Sequence, residues 1–565
     1  MDSQNRSAPD DADERATFAE QRQRHLERRG RGKPSLNESS YVHFDWEVCS
    51  EKDCAGVHLP GSELCLAHAA HREPAAFRAA IQRVRKTGEV DIRGTTVDAL
   101  LFANLLDAAP MDDEGTPYIR KARCEAAVFD CDAAFSHITL HEASFNAAQF
   151  RAFASFHRFT GPAWFQDTTF SGYTSFDGCI FEDRLRLENA TFTDLVHLGA
   201  TFKGDVSCPG VAFLGDMMVQ IFWATFEVQC NLGPIVAKSG VLLSETTFHA
   251  PAVIRIHSPW TNIDRCRFLG GASIGLRGGD VIARGTEFGP LSVLWDNRDD
   301  KPSDIAQVVG MDNHPYRTKL LSVDRASLSE LTLTDIDISD CLFVGGRGLD
   351  KLTLEGSSRF PTAGSRWDWR RVIADEREWR FGQGYRKWIR IRPYWPEGNA
   401  WFGKRPSASS TEAIAETYRA LRRGREDVKD EPGSADFYYG EMEMRRLSGR
   451  QTGEKGRGIV ERSIVTAYWL TSGYALRAGR AFVFLLVTVV LFSVLLHYFG
   501  FDPKAPLSET LLYSAKSTSS LFKASEQLPK HSLTYTGELL QLVLRLLGPL
   551  FFGLILLSIR GRIKR

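Results

Sequence analysis

FQDTTFSGYTSFDGCIFEDRLRLENATF, residues 165–192, places phenylalanine at 165, 170, 176, 181 and 192, with Leu187 filling the one gap. Apolar residues recur every five or six positions. An α-helix asks for three and four, and a plain strand asks for two, so neither accounts for the pattern. A sustained fixed period signals a repeat architecture. If the backbone turns a corner every few residues, each ring can point inward from the centre of its own face. Thr, Ser, Gly, Asp and Asn between the rings then take the turns and face water.

The rhythm extends in both directions. It begins with AVFDCDAAF and SFNAAQF, which carry Phe129, Phe135, Phe145 and Phe150, and continues through Phe202 and Phe213. It thins after Phe226, persists as TTFH, CRFL and TEFG near 247, 267 and 287, and returns as LTLTDIDISDCLF at 331–343. This resembles the pentapeptide-repeat family, whose A(D/N)LxX unit centres Leu or Phe on each face. The resemblance implies a mainly β fold, a right-handed quadrilateral β-helix, over 118–360. Alternation of five with six departs from strict fives and points to an irregular solenoid. A β-sandwich with aromatic-rich strands is the competing reading. Some members of that family mimic duplex DNA and bind DNA gyrase, a role that needs a strongly acidic surface. Residues 145–300 hold 16 Asp/Glu against 12 Lys/Arg, a mild excess only. A stacked solenoid offers a long face to a protein partner or to a second copy.

Ahead of the repeat, WEVCSEKDCAGVHLPGSELCLAHAA spaces Cys49, Cys54, Cys65 and His68 as C-x4-C-x10-C-x2-H. Two close pairs joined by a short loop suit a tetrahedral structural zinc ion. So short a stretch has too few apolar groups to fold without such a staple. His58 and His43 are alternative nitrogen ligands. The other seven cysteines lie in the repeat and read as core packing. EPAAFRAAIQRVRKTG and DALLFANLLDAA read as helices covering the open end of the solenoid, within 73–117. Residues 41–72 form the zinc module. Residues 1–40 read as a polar, disordered leader with a basic RRGRGKP run and no secretory signal. Without such a signal, ten cysteines fit a reducing compartment.

Formal net charge is zero, with a pI of about 7.2, so nothing in the global balance points to nucleic acid. The C-terminus differs in kind. Ala481–Phe499 carries no formal charge, and Leu539–Ile559 carries only Arg545. Each is long enough to cross a hydrocarbon core of about 30 Å. Arg477 and Arg480 precede the first span, and four basic residues follow the second. The positive-inside rule therefore puts residues 1–480 and the C-terminus in the cytoplasm of a two-pass inner-membrane protein.

Between repeat and membrane, 361–480 is rich in Trp and Arg and reads as helical, with a hairpin turning near Asp430–Gly433. Asp375, Glu376, Glu378, Asp436, Glu441 and Glu443 read as ion pairs on helix faces. Tyr468, Trp469, Tyr474, Arg477 and Arg480 suit a membrane interface. YRALRRGREDVKDEPGSADFYYGEMEMRR, YWLTSGYALRAGRA and the closing hairpin over 481–565 are similar to bacterial pentapeptide-repeat membrane proteins, an architecture without an assigned chemistry. No phosphate loop, zinc-protease helix or nucleophile elbow occurs, so no catalysis is expected.

Within the hairpin, SETLLYSAKSTSSLF predicts a loop helix capped by Ser508. Span, loop helix, span is the layout of two-span cation channels, yet a potassium filter of the TVGYG kind is missing. Arg545 lies six residues into the second span, and Glu538 lies two turns back on the same face and can pair with it. A plain anchor has no use for Arg545 or Gln541, whereas an oligomeric contact or water-filled path does. The expected function is a membrane-tethered, non-enzymatic scaffold, with a gated oligomeric pore as first alternative and gyrase binding as second.

Overall fold

The computed structural model describes residues 46–298, 317–363, 370–383, 393–396, 406–448, 457–519 and 531–563. The expected leader, His43 and the loop segment 520–530 lie outside these. Residues 46–48 fall in a separate unit from the chain that begins at Cys49.

From Glu89 to Glu355 every named ladder is parallel, and the strands form about ten stacked coils. The facing-sheet alternative is thereby excluded. Most strands are two residues long, such as Thr169–Phe170 and Thr191–Phe192, which pair in register one coil apart. Four columns of inward side chains define four faces. Phe129, Phe150, Phe170, Phe192 and Phe213 make one, with rings stacked at 4.6, 4.8, 4.6 and 5.0 Å. Phe159, Phe181, Phe202, Phe226, Phe248, Phe268 and Phe288 make another, at 4.5 to 5.8 Å. Phe135, Phe156 and Phe176 stack on the third face, and Phe145 and Phe165 on the fourth.

The five-six alternation has a local cause. Steps of five contain a tight corner with a left-handed residue two positions after the inward side chain: Asp167 (φ 56) follows Phe165, and Gly178 (φ 71) follows Phe176. Steps of six, such as Phe170 to Phe176, turn through an open bend that needs one more residue. Tight and open corners alternate around each coil, so what the spacing suggested was irregularity is a two-corner rule. The tight corners stack: Ala126, Ala147, Asp167 and Asn189 form one row, Trp223, Glu245, Arg265 and Arg325 another, all at φ 53 to 58. Real departures are register shifts between Phe135 and Thr139 near the start of the stack, between Leu232 and Ile235, and between Val281 and Ile282.

On the third and fourth faces the rings give way to Leu187, Leu198, Val and Ile. A wholly apolar cavity of about 50 Å³ opens there, lined by Leu187, Leu198, Phe202, Val211 and Phe213 among others. A void too small for the missing rings forfeits their dispersion contacts.

Parallel pairing begins at Glu89–Asp91, inside the stretch expected to be only a helical cap. Helix α1 spans Leu66–Arg72. Helix α2, Pro74–Thr87, starts with Pro74 at its first position and ends at Gly88, whose φ of 66 supplies the left-handed cap. Helix α3, Ala99–Asp107, is capped by Asp98, which accepts from Leu101 N at 2.8 Å. Its Phe102 stands edge-on to Phe129 at 6.2 Å and to Phe135 at 5.1 Å, closing two columns at the first coil.

After the last strand come α4 (Ala374–Gly382), α5 (Thr411–Asp427), α6 (Glu431–Ser448) and α7 (Arg457–Ser472). Tyr418, Ile414 and Leu421 of α5 bury against Phe437 and Met444 of α6, which makes the expected helical hairpin. Helices α8 (Ala478–Phe499) and α10 (Tyr535–Ile563) are long and apolar enough to cross a membrane, and α9 (Leu507–Ser519) lies in the connection. Much of their apolar surface is uncovered, with Leu546 65 % and Leu556 66 % exposed, unlike a buried core helix.

Helix α9 starts at Leu507, so Ser508 lies inside it and is not its cap. Nor does it sit beyond the ends of α8 and α10. His497 Nδ1 meets Ala505 O at 2.7 Å, and Ser493 Oγ meets Thr510 Oγ1 at 3.1 Å, so α9 runs back along α8. Its final turn abuts the middle of α10, where a Cβ on Gly548 would come within 2.2 Å of Thr518 O.

Candidate metal centre and buried charge network

Cys49 and Cys54 flank a tight loop closed by Cys49 N to Gly56 O at 2.7 Å, and Gly56 N donates to Cys54 Sγ at 3.4 Å. Cys65 precedes α1, and His68 lies one turn in. His68 Nδ1 stands 3.4 Å from Cys49 Sγ and 3.3 Å from Cys65 Sγ, and Cys54 Sγ stands 3.8 Å from Cys65 Sγ. All four ligand atoms lie within 4.8 Å of one another. A metal–thiolate bond of ~2.3 Å in a tetrahedron puts sulfurs ~3.8 Å apart, so the separations fit one four-coordinate ion. Burial pushes the Cys65 thiol up to about 12, and also raises Cys54, so a cation is what would hold these sulfurs as thiolates. His58 is outside the set, with its Nδ1 3.1 Å from Leu59 O. The remaining seven cysteines are buried and unbridged, several within the inward columns.

The knuckle is seated on the first coil. Val57 N donates to Arg93 O at 2.8 Å, and the backbone at Gly94 (φ 62) lies so close that a Cβ would be 2.2 Å from Ala55 O. The metal loop therefore covers the end of the stack together with α3.

A second constellation joins the last coils to α8. The carboxylates expected in ion pairs on helix faces lie buried: Asp375, Glu376, Glu378, Glu441 and Glu443. Asp375 accepts from Phe343 N at 2.9 Å and Val344 N at 3.2 Å, fastening α4 to a coil. Arg377 bonds Asp340 on the same coil at 2.6 Å. Glu376 is held by Arg370, by Arg380 Nε at 2.7 Å and by Tyr418 Oη at 2.5 Å. Arg380 reaches on to Glu443 at 3.3 Å, which also takes Arg446 at 2.8 Å and Tyr474 Oη at 3.1 Å. Tyr474 lies four residues before α8. Asp436 accepts from Arg371 N at 3.0 Å, and Glu441 binds Arg419, Arg422 and Arg445.

Neighbouring carboxylates titrate in opposite directions here. Burial raises Asp375 to about 6, with the two backbone donors only partly offsetting it. Burial would raise Glu376 too, but Arg370 and Arg380 hold it down at about 2. Buried pairs of this kind add little net stability, yet losing one partner costs roughly 3–5 kcal/mol, so the network fixes one geometry. Residues expected at a lipid interface are drawn into it: Arg446 and Arg480 stack on Trp469 at 4.5 and 5.1 Å, and Arg477 on Tyr439 at 5.1 Å. Tyr418 was legible in sequence only as an apolar helix position and Tyr474 only as a membrane-interface residue, since nothing in a single chain marks a hydroxyl as an ion-pair partner.

In the hairpin, Glu538 is exposed and Gln541 half-buried, and among the described residues no ion pair joins Glu538 to Arg545. The pairing expected from helical spacing is not made.

Residues 158–198 match the family described as pentapeptide repeats (9 copies), the stretch where the two-corner rule is most regular. Searches of curated proteins and of solved structures returned no match to the chain.

Proposed function

We propose that this is a non-enzymatic, two-pass membrane scaffold. Its cytosolic pentapeptide-repeat solenoid binds a protein partner or a second copy, and a C-terminal hairpin fixes it in the inner membrane with both chain ends in the cytoplasm. Zinc at Cys49, Cys54, Cys65 and His68 staples the membrane-distal coil; the four-ligand S₃N donor set, which leaves no open position, favours a structural ion over a catalytic one. The observation that carries the reading is the buried line from Phe343 and Val344 through Asp375, Glu376, Arg380 and Glu443 to Tyr474. A passive anchor needs only a flexible linker. A line of desolvated charge makes the solenoid and the membrane helices one mechanical unit, so that engagement of a partner is felt at α8. The test is a photo-crosslinking residue at Leu291 or Trp223, the exposed apolar corners of the stack, in cells expressing the full chain. A discrete adduct from these sites, and none from Asp216 on an exposed polar corner, supports the scaffold; adducts of no defined mass from every site refute it.

DNA mimicry receives less support. Acidic groups are neutralised one coil away by Arg186 on Asp205, Lys238 on Asp216, Arg265 on Glu245 and Arg284 on Asp264, which breaks up any phosphate-like lattice.

A second reading, an oligomeric pore, is favoured by α9. A polar helix descending between two apolar ones is the arrangement that lines a water-filled path. Conductance of purified protein in planar bilayers, changed by Ser514→Cys modification, supports it, and a silent bilayer removes it.

A further inference from the structure

The inner face of α9 carries hydroxyls at Thr510, Tyr513, Ser514 and Ser517, all at most 2 % exposed. Thr510 is satisfied by Ser493. The hydroxyls of Tyr513, Ser514 and Ser517 have no hydrogen-bond partner, although helical serines ordinarily bond the carbonyl four residues back. From α10, Arg545 brings Nε and Nη2, both buried and both without an acceptor among the described residues. These groups share one level. The contact of Gly548 with Thr518, one turn beyond Arg545 and Ser514 respectively, sets the two helices side by side. Tyr513 lies within electrostatic reach of both Arg545 and Glu538.

Arg545 is half-buried, but its Nε and Nη2 are buried without an acceptor, and donors of a charged group left unpaired among lipid-facing helices are costly. Among the described residues, Glu538 on the same helix face is exposed and makes no ion pair with it. Arginine can only donate, and serine and tyrosine hydroxyls can turn their protons toward a common point. Such a set has one complement, a negative charge.

We propose that Arg545, Tyr513, Ser514 and Ser517 form a binding site for a small anion inside the hairpin. The shared chemistry is a monoanion accepting from a guanidinium and two or three hydroxyls. It is supplied either by a free halide or by the phosphate of a lipid headgroup. The site stands on the hairpin alone and is independent of what the solenoid binds. It gives Arg545 a counter-charge that none of the described residues supplies.

The test uses full-length protein purified in maltoside without added lipid, in sodium gluconate. Chloride or bromide is titrated in one arm and phosphatidylglycerol in another, and hairpin unfolding is followed by heating. A free halide raises the wild-type midpoint by about 3 °C or more at saturation, saturably and without phosphatidylglycerol; a lipid phosphate does so only in the second arm. Either result supports the site when Arg545→Gln abolishes the shift and Ser514→Ala/Ser517→Ala weakens half-saturation by about tenfold. Bromide broadening in ⁸¹Br NMR gives a second readout that does not depend on how Arg545→Gln affects folding. No shift in either arm, or a shift that survives Arg545→Gln, overturns the proposal.

Discussion

Phe170 is fully buried, stacked on Phe150 at 4.8 Å below and on Phe192 at 4.6 Å above, with Phe176 edge-on at 6.5 Å. Phe170→Ala removes the ring from the middle of a column whose neighbours are anchored by their own ladders, so the gap cannot collapse. Truncation of a core Phe costs roughly 3–5 kcal/mol, of which each stacked pair supplies about 0.5–1.5 kcal/mol beyond area burial. Because each coil touches only its neighbours, the loss is local. Amide exchange of the full-length protein should accelerate by roughly 10² to 10³-fold in peptides covering 145–195 and change little beyond 250. A double-mutant cycle sharpens the point. Phe150→Ala with Phe170→Ala should show a coupling of about 1 kcal/mol, whereas Phe129→Ala with Phe213→Ala, four coils apart, should add without coupling. A cost for Phe170→Ala below about 1 kcal/mol, or equal coupling for near and distant pairs, would refute a continuous column.

Leu187→Phe should fill part of the 50 Å³ cavity and slow local opening by up to about 1 kcal/mol, read by the same exchange experiment; a faster exchange means the void cannot take the ring. Gly94→Ala forces a Cβ to 2.2 Å from Ala55 O at φ 62, so it should lower zinc occupancy measured by elemental analysis although no ligand is touched. For Asp375, the folded value of about 6 lies above the unfolded value of 3.8, so the folded state binds the extra proton between them and stability falls as pH rises through that window. Wild type should gain about 1 kcal/mol over Asp375→Asn between pH 7 and pH 5, by calorimetry. Glu376 behaves oppositely: held at about 2 against 4.5 unfolded, it contributes stability above pH 4.5 that is lost as pH falls toward 2, so Glu376→Gln should flatten the acid limb.

What the chain disclosed about itself depended on whether a signal was periodic and local. The rings from Phe129 to Phe213 announced inward columns because each sits at a fixed place on its face, and the C-x4-C-x10-C-x2-H spacing announced a cluster because two turns suffice to close it. Pro74 and Gly88 marked the ends of a helix through backbone chemistry alone. The buried network was not legible. Asp375, Glu376 and Glu443 read as ion pairs on helix faces; their burial was hidden because it is decided by which helices pack together, a long-range fact that spacing does not carry. Arg545 and Glu538 occupy one helical face, but α9 inserts beside the first and leaves the second in the open. The two kinds of corner could have been inferred from the strict alternation of five and six, since one extra residue per alternate step implies two turn geometries.

The central claim is that the last coils and the apolar helices α8 and α10 move as one body through Asp375, Glu376 and Glu443. Its most direct test is amide exchange of full-length Asp375→Ala in lipid nanodiscs, read at residues 463–480, far along the line from the substitution. The account predicts faster exchange there, together with 343–344 and 370–383. Acceleration confined to 343–344 and 370–383, with 463–480 unchanged, would contradict it.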